Sequence, residues 1–197
     1  YVRGIYWARM PEYEMLNHFG HNGVLPDFYW TADTRMKCMQ AAISQSLQHA
    51  YAHHIQRLMV TGNFALLAGV HPDEVDAWYL GVYIDAVQWA EIVNTRGMSQ
   101  FADGGMVATK PYISSANYIR KMSDYCDQCW YDPVRKSGNR SCPFNSLYWD
   151  FLVRHRRKLE KNPRVAMMYR TLDRMKDANR QQLLEQARKY RANLNTL

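Results

Sequence analysis

An all-α fold is what this sequence predicts. Three observations lead there. Apolar residues recur at steps of three and four through most of the chain, no run alternates apolar with polar as a half-buried strand would, and the Gly and Pro residues gather between the periodic segments. With 197 residues, 47% of them apolar, the chain is long enough for one sizeable core, so a single helical domain over residues 1–197 is expected. No apolar stretch reaches the roughly 18 residues that a membrane span needs, and the opening residues lack the order of a signal peptide. A cytoplasmic, membrane-free protein follows as the expectation.

Taken in order, the first stretch, "YVRGIYWARM", reads as the middle of a helix and has no initiator methionine, so upstream parts of a longer chain are expected. Over residues 32–67, Met36, Met39, Ile43, Leu47 and Ala50 mark one face of a long amphipathic helix, and the pattern continues through His54 and Arg57 of "YAHHIQR". In "GVHPDEVDAW", Pro72 followed by Asp73 and Glu74 signals a helix start, since proline and acids suit the first turn; that helix is expected to reach about Ile92. Residues 94–115 hold Gly97, Gly104, Gly105 and Pro111 and read as one loop of about twenty residues, a length that is usually functional.

A further helix starts near Ser115 and carries Tyr118 and Arg120 towards Cys126. The segment "WYDPVRKSGNRSC" is turn-forming and basic, and "FNSLYWDFLVRHRRKLEKN" is a helix with a basic end, whose "RHRRK" run at residues 154–158 reads as a solvated face. Leu172, Met175, Leu183, Ala187, Tyr190 and Leu194 line one face of a C-terminal helix that packs on the body. There is no internal repeat and no low-complexity tract.

The net charge of +7 and a pI near 9.3 are compatible with an anionic partner, although a modest basic excess more often serves solubility. Six Trp and fourteen Tyr exceed what core filling needs, because each buried indole or phenol must find a hydrogen-bond partner. Such rings can stack on ligands or carry electrons.

The four cysteines are Cys38, Cys126, Cys129 and Cys142. Without a secretory signal a disulfide framework is disfavoured. The C-x-x-C of Cys126 and Cys129, followed by Cys142 after a glycine-containing turn, brings three thiols together locally, and Cys38 supplies a fourth from the long helix. Four thiolates suit either structural zinc or an iron-sulfur cluster. A remote single ligand beside a local group favours the bulkier cubane over two close zinc knuckles.

On the second helix Trp78, Val82, Asp85 and Trp89 share a face, and an aspartate on such a stripe is costly unless paired. Arg57, one turn after His53 and three residues after His54, is its natural partner; a structural core ion pair would account for both residues equally well. The run "HHIQR" resembles the HHxxR signature of the photolyase and cryptochrome superfamily, and "YLGVYIDAVQWAEIVNTRGMSQFADGG" looks like a variant of the flavin-enclosing segment that follows it. With the four cysteines, the likeness is to the iron-sulfur bacterial cryptochromes and photolyases, the prokaryotic (6-4) photolyases. It covers essentially the whole chain and corresponds to the helical catalytic half, the α/β antenna domain being expected upstream.

That resemblance implies a U-shaped FAD, and a 4Fe-4S cluster held by Cys38, Cys126, Cys129 and Cys142. It makes Arg57 and Asp85 the salt bridge beside the isoalloxazine, with Asn94 a neighbour of its N5 and Glu91 an alternative for that place. The implied activity is light-driven electron transfer from reduced FAD to a pyrimidine (6-4) pyrimidone photoproduct flipped out of UV-damaged DNA. His54 would stabilise or protonate the lesion. His53 would be a secondary contact, and Tyr112 and Met98 would line the lesion pocket. Trp78, Trp30 and Tyr118 would carry electrons to the flavin. Duplex phosphates would lie over Arg96, Lys110, Arg135, Lys136 and Arg140, and the protein is expected to be a monomer. One departure stands out: eukaryotic (6-4) enzymes place another histidine four residues after the active one, where this chain has Leu58. A blue-light receptor without repair, and a flavin-free primase-type iron-sulfur module that binds nucleic acid, are the alternatives.

Overall fold

The computed structural model describes residues 1–197 and is helical throughout, with two isolated β-bridges and no strand. Residues 1–32 and 41–113 form one compact unit; residues 33–40 and 114–197 form a second. In chain order the helices are α1 (Val2–Arg9), α2 (Phe28–Thr31), α3 (Lys37–His49), α4 (His54–Gln56), α5 (Asn63–Ala68), α6 (Pro72–Val82), α7 (Gln88–Ile92), α8 (Ala116–Met122), α9 (Pro143–Arg154), α10 (Arg156–Leu159), α11 (Ala166–Asp173) and α12 (Asp177–Ala192). Helix α3 begins in the second unit and continues into the first. No helix is long and apolar enough to cross a membrane.

The continuous helix expected over residues 32–67 is interrupted. Ala50 takes a left-handed conformation (φ +51°), which ends α3, and an extended link leads to a new start. His53 caps that start: its Nδ1 accepts from the Ile55 amide (3.2 Å) while Gln56 Oε1 accepts from the His53 amide (3.0 Å). The chain then passes through a π-helical turn, Arg57–Gly62, into α5. Apolar periodicity persists across the break because the second helix restarts with Leu58 and Met59 inside.

The second long helix is also divided. Pro72, Asp73 and Glu74 occupy the first turn of α6 as expected, and His71 Nδ1 accepts from the Asp73 amide. At Tyr83 the backbone turns extended and α6 stops. Asp85 therefore lies in the following turn, and Trp78, Val82, Asp85 and Trp89 do not form one buried stripe; Trp78 is fully buried while Trp89 is exposed. Helix α7 restarts at Gln88 and runs into a second π-helical turn, Val93–Ser99, so the first part of the expected 94–115 loop is helical.

Trp78 centres the first unit's core. Its ring meets Tyr29 and Tyr83 edge-on, at 5.3 and 5.6 Å between centroids, and its indole N–H donates to the Tyr29 carbonyl at 2.9 Å. That bond settles the one polar atom a buried Trp carries. In the second unit α9 packs on α12, with Phe144, Leu147, Phe151 and Leu152 of α9 and Leu183 and Ala187 of α12 all buried. Buried Asp150 holds Arg154 at 2.7 Å and Arg191 at 3.2 Å, joining the two helices. The apolar face expected of one C-terminal helix is shared between α11 and α12, which part at Arg174–Lys176.

The two π-turns meet at Gly62. A Cβ on this residue would run into Ser99 Oγ, sit 2.6 Å from the Arg57 carbonyl oxygen and 3.2 Å from the Tyr79 hydroxyl. Two of those three obstacles belong to rigid neighbours, so little can give way. Gly62→Ala is expected to cost about 1–3 kcal/mol of stability, the range for overpacking a tight core; urea unfolding monitored by Trp fluorescence measures it, and an unchanged midpoint would mean that the turns can part.

Candidate functional site

A cleft of about 260 Å³ opens in the first unit, lined by residues that include His54, Arg57, Leu58, Tyr79, Asp85, Glu91 and Asn94. The local breaks described above build it. Helix α4 and the first π-turn bring His54 and Arg57, the turn after α6 brings Asp85, and α7 with the second π-turn brings Glu91 and Asn94. Five residues anticipated from sequence therefore converge: His54, Arg57, Asp85, Glu91 and Asn94.

Arg57 is the hub. Its Nη2 donates to both carboxylate oxygens of Asp85 at 2.9 Å, and its Nε donates to the Ala52 carbonyl at 2.8 Å. Nη1 lies 4.0 Å from Glu91 Oε2 and has no hydrogen bond. Arg57 is 12% exposed and Asp85 49%, so the aspartate is a half-solvated partner rather than the buried acid that the sequence suggested. Glu91 is more enclosed. Burial raises its carboxyl above the usual range, opposed by the Thr95 hydroxyl, which donates to it at 2.8 Å, and by Arg57. Burial, Arg57 and His53 together lower the imidazole pKa of His54, which favours the neutral ring. Asn94 Nδ2 donates to the Ala90 carbonyl at 2.8 Å, leaving its amide oxygen for other contacts.

Other anticipated residues fall elsewhere. His53 is the helix cap and does not line the cleft; nor do Met98, half-buried on the second π-turn, and Tyr112, half-buried beyond it. Trp30 is exposed at the end of α2, next to Tyr29, whose ring meets Trp78. Tyr118 lies half-buried on α8 of the second unit, outside that aromatic group. Tyr79 is a residue that sequence reasoning missed. It lines the cleft, packs against Trp78 at 5.4 Å and Tyr83 at 5.3 Å, and donates its hydroxyl to the Arg57 carbonyl at 2.6 Å. Its only signal in the sequence is a place beside Trp78 on a core helix, where a tyrosine reads as packing.

All four cysteines belong to the second unit and line one small cavity there, with Met36, Ile119, Tyr125 and Tyr131 among the other walls. None is in a disulfide. Burial pushes the Cys38 thiol well above its ordinary pKa, reinforced by the charges of Cys142, Cys129 and Cys126; the Cys142 and Cys126 thiols are raised too, chiefly by burial. Thiolates so enclosed need a cation to be stable. No three His, Cys, Asp or Glu side chains converge tightly enough for a single metal ion.

Among the basic residues expected to meet phosphates, Arg96 is excluded by its surroundings. It is 4% exposed and committed to Asp73, Asp76 and the Leu16 carbonyl, so it braces the first unit instead. Lys110 is half-buried. Arg135, Lys136 and Arg140 are exposed on the turn between Cys129 and Cys142; Arg135 pairs with Asp132 at 3.3 Å, and Arg140 lies over the Trp130 ring at 4.6 Å.

No family model matches the chain. Over 187 residues, 95% of its length, it is 56% identical to a (6-4) photolyase of Agrobacterium fabrum, and it spans 37% of that relative. It is also 30% identical over 109 residues, 55% of its length, to an uncharacterized protein of Acanthamoeba polyphaga mimivirus, of which the match covers 81%. With identity this high along nearly all of its residues, the chain belongs to the bacterial photolyase and cryptochrome family.

Proposed function

We propose that this chain is the helical catalytic domain of a light-dependent DNA repair enzyme acting on pyrimidine (6-4) pyrimidone photoproducts. In this reading it holds FAD at the cleft of the first unit and a 4Fe-4S cluster among the four thiols of the second. The observation that carries it is the meeting of His54, Arg57, Asp85, Glu91 and Asn94 in one cleft, within a chain 56% identical to a (6-4) photolyase. The donor set suits a flavin: a few convergent polar groups beside an aromatic wall, with one pair of Arg57 N–H donors left without a hydrogen bond. At about 260 Å³ the cleft fits a planar ring system better than an entire dinucleotide. Four thiols around one cavity, none grouped for a single ion, suit a cubane, whose cysteine ligands bind separate irons.

When bound, the flavin supplies light absorption and the transferred electron. The chain's own residues do the rest. Arg57, paired with Asp85, presents its Nη1 hydrogens to negative charge at the cleft. Glu91, whose protonated form burial favours, can hold or release a proton there, and Asn94 offers an amide oxygen. His54 gives a proton to the lesion or stabilises its charge; Met98 and Tyr112, outside the cleft itself, would meet only those parts of the lesion that project beyond it. Trp78, set between Tyr79 at the cleft and Tyr29 beside exposed Trp30, provides an aromatic route for electrons; Tyr118 would serve a separate branch. Arg135, Lys136 and Arg140 attract duplex phosphates, with Lys110 a further contact.

His54→Asn is expected to lower repair of a (6-4)-containing oligonucleotide by 100-fold or more, the lower range for removing an acid catalyst, while flavin photoreduction continues. Because the folded-state pKa of His54 lies below its ordinary value of about 6.5, the imidazolium form exists only at still lower pH. Repair that uses this proton should fall as pH rises towards 6.5, and that limb should vanish in His54→Asn. Repair equal to wild type in the variant would refute the role.

Iron and sulfide assays on anaerobically purified protein test the cluster. Cys142→Ser is expected to reduce both several-fold, because the remaining thiols no longer close the set. Wild-type protein with neither iron nor bound flavin would overturn the proposal. Neutralising Arg135, Lys136 and Arg140 should reduce the slope of log affinity against log salt by about 2 to 3, as each phosphate contact contributes about 0.9; an equal slope would reject DNA contact at this turn.

A further inference from the structure

The Arg57–Asp85 pair cannot by itself fix the guanidinium. Asp85 stands in a turn outside any helix and is 49% exposed, and an ion pair with one partner so solvated is weak and adjustable. A stiffer restraint lies on the other side. The guanidinium carbon of Arg57 lies 3.8 Å from the centre of the Tyr83 ring, well within cation–π range, while the Tyr51 ring stands 5.3 Å away.

Tyr83 is enclosed where Asp85 is not. It is 3% exposed, its ring meets Trp78 and Tyr79 at 5.6 and 5.3 Å, and its hydroxyl shares a 3.0 Å hydrogen bond with Ser46 of α3. Tyr83 is also the residue at which α6 ends, so the same position that releases the chain to place Asp85 supplies the platform for Arg57. With Nε on the Ala52 carbonyl, Nη2 on Asp85 and one face on Tyr83, only Nη1 remains free, and it lies beside Glu91 in the cleft.

We infer that Tyr83 is the positioning residue of this site: its ring, rather than the half-exposed Asp85, holds the Arg57 guanidinium so that Nη1 faces the ligand and favours the more negative, reduced form of the flavin. The inference rests on the flavin reading above and goes beyond it. Tyr83 touches no substrate and acts only through Arg57. A purely packing role would lower stability without altering the preference for one oxidation state.

The test compares Tyr83→Leu and Tyr83→Phe with the flavin-loaded wild-type protein, reading the midpoint potential by spectroelectrochemistry alongside thermal melting. Tyr83→Leu removes the cation–π face and is expected to weaken binding of reduced relative to oxidised flavin by about tenfold, a shift of about 30 mV to more negative potential for a two-electron couple. Tyr83→Phe keeps the ring and should restore the wild-type potential even if the lost Ser46 bond lowers its melting temperature. If Tyr83→Leu does not fold, Tyr51→Leu carries the comparison from the exposed side of the stack, with a smaller shift in the same direction. Flavin bound by all variants at one common potential overturns this inference alone. A wild-type protein that binds no flavin overturns the flavin reading together with it.

Discussion

Everything at the cleft depends on the close approach of two π-turns at a residue without a side chain. A π-turn widens the helix and releases carbonyls from the regular ladder, and each must be satisfied again. In the first unit this is done by side chains. The Tyr79 hydroxyl donates to the Arg57 carbonyl at 2.6 Å, the Tyr29 hydroxyl to the Thr61 carbonyl at 2.7 Å, and Gln100 Nε2 to the Gly62 carbonyl at 3.1 Å. Those donors come from α6, from α2 and from just beyond the second π-turn. The irregular backbone that turns Arg57 towards the cleft is thus locked by three separate elements. Tyrosines contribute here through their hydroxyls as much as through their rings, which gives a structural reason for a chain with fourteen of them.

Charge at the site is balanced tightly rather than generously. One guanidinium faces two carboxylates in different surroundings. Asp85 is half-exposed, whereas Glu91 is enclosed and burial pushes it towards its protonated form. That burial makes Glu91 a group able to exchange a proton at the cleft. The pKa of His54, adjoining the same arginine, is lowered where that of Glu91 is raised, so both groups are pushed towards their neutral forms. Of the Arg57 guanidinium, only Nη1 is left without a hydrogen bond, and it is the group that can meet negative charge in the cleft.

How much of this was legible in the sequence follows from what periodicity can and cannot record. The starts of α6, α8 and α9 were legible because proline, acid and serine signals mark them locally. The breaks at Ala50 and Tyr83 were not, because neither residue type announces a helix end and the apolar phase survives both interruptions. π-turns leave no trace in an apolar count, so residues 94–99 read as the start of a glycine-containing loop although Gly97 is there for close packing: a Cβ would lie 2.6 Å from the Tyr13 hydroxyl. Arg57 with Asp85 was legible from residue chemistry, since a core arginine requires an acid. Arg96 misled for the converse reason. Just before Gly97, in a stretch that reads as loop, it looks like surface, yet Asp73 and Asp76 of α6 draw it inside. Tyr83 and Tyr79 were silent because an aromatic on a core stripe looks the same whether it packs or positions.

The cysteine-bearing region carries the positive charge of the chain. Residues 114–197 hold eighteen Lys and Arg against eight Asp and Glu, whereas residues 1–113 hold seven against ten. Internal pairing consumes part of that excess: Asp150 takes Arg154 and Arg191, and Glu160 with Asp173 takes Arg156. Exposed cations beyond these pairs, among them Lys136, Lys161, Arg164 and Arg170, have no acidic side chain to neutralise them. The acidic balance of residues 1–113 offers a polyanion little general attraction. Long-range attraction falls to the other unit, where it is sequence-independent and weakens with salt. In the repair role proposed above, the basic region would raise encounter with any duplex, while the acidic balance around the cleft would keep undamaged phosphates from competing for Arg57.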